Sequence, residues 1–314
     1  MTDVLIIGLG AAGYTAAVYT ARYKLTTTII GQEEGGMGMT AAEVGNWPGD
    51  IEVTGPDLMN RMKEHAVSFD TVTHKIGFID KIEKTSEGFK ATLSGGDIVE
   101  AKTIIFAMGS NKRHLGIKGE EEFSGKGVTY CATCDAFFYK GKDVAVIGGG
   151  DAAVEGAAIA AQVANKVYLV HRRDSFRAEP FWIDKVNEKD NIIMVLERNA
   201  VEVLGDHGST ELTTGKVTGL KLDKEFEGSD ELKVDGVFIE VGSIPAVDLG
   251  KQLGCELDDR GFLKVGADMG TNIEGVFGAG DVTSGSNHFA QFVTAAGEGG
   301  VAANSVFNYL QSGK

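Results

Sequence analysis

The feature that most constrains this chain is a repeat. Residues 3–10 read Asp-Val-Leu-Ile-Ile-Gly-Leu-Gly and residues 143–150 read Asp-Val-Ala-Val-Ile-Gly-Gly-Gly, a constant offset of 140 positions. Each copy is a short Val/Ile-rich run that breaks at glycine, which predicts a buried strand and a tight turn. An Ala-rich helical stretch follows each, over 11–23 and 152–165, and then a second apolar strand, over 26–30 and 166–170. The glycines complete the pattern, as Gly8-x-Gly10-x-x-Gly13 and as Gly148-x-Gly150-x-x-Ala153. In such a fingerprint the first Gly makes the turn and the second lets backbone approach a pyrophosphate. The third small residue lets helix and strand pack closely, and the pyrophosphate rests on the helix N-terminus. One fingerprint alone is weak evidence. Two, each after a strand and before a helix, predict an α/β chain with two Rossmann-like dinucleotide-binding domains.

The remaining bulk features narrow the class. A length of 314 residues fits about two domains. The net charge of -15 argues against nucleic acid and against an anionic membrane surface as partners. Residues 4–21 carry no formal charge, yet no positive segment precedes them and Gly8, Gly10 and Gly13 interrupt them. They read as strand, turn and helix rather than as a membrane span or signal peptide. The expected compartment is therefore the cytoplasm. Three cysteines, Cys131, Cys134 and Cys255, are too few and too odd for a secreted disulfide framework.

The second strands of the two copies end differently. Glu33 stands 23 residues beyond Gly10, in Gln32-Glu33-Glu34, where a carboxylate can accept hydrogen bonds from a ribose diol. Arg173 stands 23 residues beyond Gly150, in His171-Arg172-Arg173, with Arg177 about a helical turn later. Guanidinium groups there bind a 2′-phosphate through forked, charge-assisted bonds, whereas a carboxylate would repel it. Two such contacts are worth ~3–4 kcal/mol together, roughly a 10²–10³-fold preference for NADPH over NADH. The first site suits the ADP half of FAD and the second suits NADPH. The alternative for the basic run is a solvated helix start.

Three further segments return toward the glycine-rich face: 103–109, 236–242 and 275–281, the last placing Asp281 after a strand. If that strand completes the first domain, the second is inserted within it. The expected organisation is 1–114 with 244–314 for FAD, and 115–243 for NADPH.

Cys131-Ala132-Thr133-Cys134-Asp135 precedes the second fingerprint. A Cys-x-x-Cys can be half a zinc site, two structural thiols or a dithiol–disulfide couple. Zinc needs four ligands, and neither a second Cys-x-x-Cys nor a His-x₃₋₅-His occurs. The redox reading is favoured because the motif lowers thiol pKa. Asp135 adds to it, since thiol–disulfide exchange releases a thiolate that a nearby carboxyl can protonate. Asp135 as a simple turn cap is the bland alternative. Cys255 has no partner in sequence.

The run Cys131-Ala-Thr-Cys-Asp-Ala-Phe-Phe-Tyr139 resembles the active-site segment of low-molecular-weight thioredoxin reductases, in the class II pyridine nucleotide-disulfide oxidoreductases. So do residues 44–49, 171–178 and 278–281, in family order and over nearly the whole chain. The resemblance implies a homodimer that passes electrons from NADPH through FAD to the Cys131–Cys134 disulfide and on to thioredoxin or a similar small protein. It places that disulfide in the NADPH domain, which must then rotate between two orientations. It implies that Cys134 faces the flavin, that Cys131 attacks the substrate disulfide and that Asp135 is the general acid/base. Its FAD residues map to Gly8, Gly10, Ala11, Ala12, Gly13, Glu33, Gly35, Gly36, Met37, Asn46, Gly109, Gly280, Asp281, Ala290 and Gln291. Its NADPH residues map to Gly148, Gly150, Asp151, Ala153, His171, Arg172, Arg173, Arg177 and Gly242. No metal is implied.

Several positions depart from the family pattern. The family usually has Pro at Ala11, Gln at Met37, Thr at Met108 and Arg at Ala290. Three polar groups near the isoalloxazine are thus exchanged for apolar ones, which predicts an altered flavin potential or donor approach. The rival readings are another flavin-dependent disulfide enzyme on the same scaffold and a redox-sensing protein that turns over poorly.

Overall fold

A run without a single charge places the first strand. In β1 (Thr2–Ile7) the side chains of Val4, Leu5, Ile6 and Ile7 are buried on both faces, as expected at the centre of a parallel sheet. The computed structural model describes residues 1–206 and 215–313. Among these the chain forms two units, Met1–Asn111 with Pro245–Lys314, and Lys112–Ile244.

In the first unit β1 leads through the glycine turn into α1 (Ala11–Arg22) and back to β2 (Thr27–Gly31). The turn requires glycine at position 8. Its φ is +124°, and a Cβ there would lie 2.0 Å from the Ala107 carbonyl oxygen. Then come α2 (Gly55–Val67), β3 (Val72–Ile76) and three further strands, β4 (Ile79–Lys84), β5 (Phe89–Leu93) and β6 (Ile98–Phe106). α2 starts at a Thr54 side-chain cap, with Asp57 in its first turn, a favourable N-terminal arrangement. The strand order is β3-β2-β1-β6-β5-β4. β3, β2, β1 and β6 run parallel, whereas β4 and β5 form an antiparallel hairpin against the first half of β6.

A short strand β7 (Ser110–Lys112) leads to the second unit. It contains β8 (Val128–Thr129), a single-turn helix α3 (Ala132–Asp135), β9 (Asp143–Ile147), α4 (Asp151–Ala160) and β10 (Lys166–His171). After α5 (Pro180–Asn187) and β11 (Ile192–Leu196) come β12 (Ala200–Asp206), β13 (Lys216–Phe226) and β14 (Ser229–Leu232), an antiparallel three-stranded sheet, and then β15 (Gly236–Ile239). The main sheet, β11-β10-β9-β15-β8, is parallel throughout. α4 is shorter than the Ala-rich pattern over 152–165 predicts. The carbonyls of Ala161 and Ala164 accept from the Asn191 side chain, and that of Val163 from Gly141 N–H, so turns replace the last helical turn.

The chain leaves this unit by β16 (Ser243–Pro245) and passes through α6 (Asp248–Gln252) to β17 (Val276–Gly278). β17 pairs in parallel with the second half of β6. α7 (Phe292–Gln311) then closes over α1, burying Ala302, Ala303 and Val306 in the core. The unit boundaries fall at 112 and 244, where 115 and 243 were expected. Lys112 and Arg113 belong with the second unit because Lys112 pairs with Glu240, and Arg113 N–H donates to Gly242. No helix among the described residues is long and apolar enough to cross a membrane.

Candidate functional site

In the first unit the ends of β1, β2, β6 and β17 surround a cavity of about 650 Å³. This volume lies in the range of cofactor pockets. Gly8, Gly10, Ala11 and Ala12 form one wall. Helix α1 begins there with no side-chain cap and no acidic residue in its first turn, so its free N–H groups present a positive end to the cavity. Nothing lies within 4 Å of where a Cβ on Gly10 would be, which leaves the backbone open to a ligand. Gly13 is not on the wall; it packs beneath the turn, against the Gly8 carbonyl.

The acidic run at the end of β2 is sorted by the fold. Glu33 lines the cavity, and its carboxylate has no hydrogen-bond or ion-pair partner among the described residues. Glu34 is paired instead with Lys63 at 2.7 Å. Gly35, Gly36 and Met37 continue the wall, and Gly109, Gly280, Asp281, Ala290 and Gln291 complete it. Asn46 is set back: its Nδ2 donates to Gln291 Oε1 at 3.0 Å and so holds that side chain. Met37, Met108 and Ala290 meet in this one cavity, with Ser110 Oγ 3.5 Å from Met37 Sδ.

Asp281 is the strongly perturbed acid of the cavity. Burial, and then the Glu298 carboxylate, push it up to about 6. Glu298, buried on α7, accepts from Gly280 N–H at 2.8 Å and from Thr283 Oγ1 at 3.0 Å, which fixes the turn that carries Asp281. The cavity also holds residues that sequence reasoning missed: Phe78, Ile79 and Asp80 before and at the start of β4, and Gln252 at the end of α6. Gln252 is anchored by Asp80 O and Ile82 N–H. No motif marks these positions. An uncapped helix start, a free carboxylate and a long cavity suit a dinucleotide such as FAD.

The second unit repeats the arrangement around α4. The helix starts at Gly150 without a side-chain cap, and no atom lies within 4 Å of a Cβ built there. Ala153 is buried under the turn, against Gly148. Asp151 is engaged, its Oδ1 accepting from Glu179 N–H at 2.7 Å. Arg177 N–H donates to Gly149 O at 2.7 Å, which draws the basic segment to the fingerprint. Arg172, Arg173 and Arg177 are exposed, and none of their guanidiniums has a hydrogen-bond or ion-pair partner among the described residues. Gly242, with φ +97°, has nothing within 4 Å of a built Cβ.

His171 departs from expectation. Its ring is buried beneath the turn, where a Cβ on Gly149 would lie 2.2–2.5 Å from three ring atoms, and it stacks on Phe176. Burial pushes the imidazole below its ordinary value, and the neighbouring arginines add to this. The ring thus packs under the turn, unlike the exposed arginines that follow it. Three exposed guanidiniums without acidic partners suit a phosphorylated pyridine nucleotide.

The redox pair lies between β8 and β9. Cys131 and Cys134 form a disulfide, with Cα atoms 5.3 Å apart. Cys131 caps α3, its sulfur accepting from Cys134 N–H at 3.2 Å. Ala132 of this turn packs on Gly156 of α4, so the disulfide rests on the helix that starts at the second fingerprint. Its N–H donates to Glu240 Oε1 at 3.1 Å, and Glu240 Oε2 receives Lys112 Nζ at 2.8 Å. Burial pushes the Glu240 carboxyl above its ordinary value, against the pull of Lys112. Glu240 stands directly after β15 and was read from sequence only as part of a strand. Thr129 Oγ1 donates to Asp135 Oδ2. Cys255 is far simpler: a buried free thiol near Thr271, pushed up by burial.

Residues 2–299 match the family described as pyridine nucleotide-disulphide oxidoreductase. The chain is 45% identical over 319 residues to the glucosaminate ammonia-lyase of Pseudomonas fluorescens, covering 98% of this chain and 95% of that protein. It is 43% identical over 327 residues to the thioredoxin reductase of Vibrio cholerae, covering 99% and 97%. Lactococcus lactis thioredoxin reductase, in a crystal structure of its FR conformation, superposes with a TM-score of 0.91 at 34% identity, covering 99% of this chain and 100% of that one. The thioredoxin reductase of T. acidophilum gives 0.89 at 35% identity, covering 100% and 99%.

Proposed function

This chain belongs to the pyridine nucleotide-disulphide oxidoreductase family, and on that premise we propose that it is a thioredoxin-disulfide reductase using NADPH and FAD. The observation that carries the reading is the Cys131–Cys134 disulfide seated on the helix of the second fingerprint, with Asp135 on the same turn. When bound, FAD would supply two-electron transfer from NADPH to that disulfide. The chain's own residues have separate tasks. The start of α1 would take the pyrophosphate, Glu33 the ribose diol and Asp281 a sugar-like hydroxyl chain. Arg172, Arg173 and Arg177 would bind the 2′-phosphate that distinguishes NADPH.

The exchange with the partner balances as follows. Cys131, as a thiolate, attacks one sulfur of the substrate disulfide; that S–S bond breaks and a mixed disulfide forms. The leaving thiolate takes a proton from Asp135. Cys134 then gives its proton to the ionised Asp135 and attacks the Cys131 sulfur, restoring the Cys131–Cys134 bond; the second substrate sulfur leaves as a thiolate and takes that proton from Asp135. Two electrons and two protons pass from the enzyme dithiol to the substrate. The assembly is assigned as a homodimer, for which sedimentation gives the direct readout.

The test is NADPH oxidation with thioredoxin disulfide as acceptor, beside Cys134→Ser. Turnover that the variant abolishes supports the assignment. A flavin that NADPH reduces but that no thioredoxin reoxidises overturns the partner. Because one relative carries a lyase name, glucosaminate is offered in parallel. Ammonia release that survives Cys134→Ser would replace the reductase reading.

A further inference from the structure

Thr129 ends β8, two residues before Cys131, and no motif singles it out. Its side-chain oxygen has two partners. Oγ1 donates to Asp135 Oδ2 and accepts Cys131 N–H at 3.2 Å. The hydroxyl is thus a bridge from the backbone entering the redox turn to the carboxyl on its far side. We propose that Thr129 is a positioning residue for proton transfer, holding the Asp135 carboxyl at the disulfide turn in both of its protonation states.

The chemistry of a hydroxyl makes this possible. It offers one donor and two acceptor sites. When Asp135 is ionised, Thr129 donates to Oδ2 and accepts from Cys131 N–H, as in the structure. When Asp135 is protonated, its O–H donates into the second lone pair of Oγ1 and the threonine hydrogen turns away. Cys131 N–H keeps its acceptor throughout. The carboxyl therefore stays tethered as its proton leaves for the substrate thiolate and as one returns from Cys134. A backbone amide could never accept the carboxyl proton's hydrogen bond, and a carbonyl could serve only the protonated form.

The other ionisable groups around this turn do not duplicate the role. Tyr139, on the next turn, is pushed up by burial and by the Asp135 and Asp235 carboxylates, so its phenol stays protonated. Glu240 is committed to Ala132 N–H and to Lys112. The Cys131 sulfur is committed to Cys134 N–H.

The proposal rests on Asp135 as the proton donor, and the experiment separates the two ideas. Thr129→Val keeps the shape and the strand preference but has no hydroxyl; Thr129→Ser restores it. Asp135→Asn and the double variant complete the set. All are compared as flavin-loaded protein with matched melting temperatures, for flavin reduction by NADPH and for thioredoxin turnover.

Thr129→Val should leave flavin reduction unchanged and slow thioredoxin turnover about tenfold. Thr129→Ser should recover the rate, and the double variant should be no slower than Asp135→Asn. Wild-type turnover in Thr129→Val, with Asp135→Asn still slow, overturns the role of Thr129 alone. So do additive losses in the double variant. Unchanged turnover in Asp135→Asn overturns the proton-donor reading beneath it.

Discussion

Replacing Glu240 with leucine should loosen the redox turn, and the structure sets the size of the effect. Three things change. Ala132 N–H, fully buried, loses its only acceptor among the described residues, which costs about 1–3 kcal/mol for an orphaned donor. Lys112 loses its carboxylate, but its side chain is 26% exposed and regains water, so this loss is smaller. Against both, the desolvated Glu240 carboxyl itself disappears, a relief that its raised pKa reports. The net expectation is about 2 kcal/mol, roughly a thirtyfold change in the unfolding equilibrium of the second unit. Glu240→Gln keeps an acceptor for Ala132 and a polar neighbour for Lys112, so it should cost less than about 1 kcal/mol. The chain has two tryptophans, Trp47 in the first unit and Trp182 in the second. A Trp47→Phe background therefore lets Trp182 fluorescence follow urea unfolding of the second unit alone. Equal midpoints for the Leu and Gln variants would refute the argument, because then the bond to Ala132 N–H contributes nothing. A Leu variant more stable than the parent would refute it too.

Arg172→Ala with Arg173→Ala should weaken NADPH by about 10²-fold in anaerobic flavin-reduction titrations while leaving NADH nearly unchanged; equal losses for both nucleotides would remove these residues from the phosphate site. Asp281 makes a pH prediction for the cofactor-free protein. Its folded pKa, about 6, lies above its ordinary 3.8, so the ionised carboxylate destabilises the fold above about pH 6 and the penalty vanishes below about pH 4. Asp281→Asn should thus be more stable than the parent by about 2–3 kcal/mol at pH 7.5 and equal to it at pH 4, by urea midpoint. The same difference at both pH values would contradict this.

Much of the architecture was legible because it rests on short-range rules. A short apolar strand, a glycine turn and an Ala-rich helix need no distant information, and their repetition exposed both halves of the fold. Glu240 was not legible. In Gly-Val-Phe-Ile-Glu-Val-Gly it looks like any residue at a strand end, and its role exists only once β15 lies beside β9 and brings it to Ala132. Phe78 to Asp80 reach the cavity through the β4 hairpin, whose approach to α6 and β6 is a tertiary fact. The basic run hid one difference. His171, Arg172 and Arg173 share a charge pattern, but the first is the last residue of β10 and points into the core, whereas the arginines lie beyond the strand's end. Likewise Glu33 and Glu34 are equivalent as letters, and the pairing of Glu34 with Lys63 and His74 tells them apart.

The contact between Gly149 and the His171 ring has a consequence for how this protein can change by descent. A side chain at 149 and the ring at 171 cannot occupy the same space, so position 149 is not free to change while the histidine stays. The three guanidiniums have no side-chain partner among the described residues, and each can be replaced singly without removing such a contact. On the proposed reading, nucleotide preference can thus be retuned at the arginines while Gly149 is held fixed by the ring beneath it.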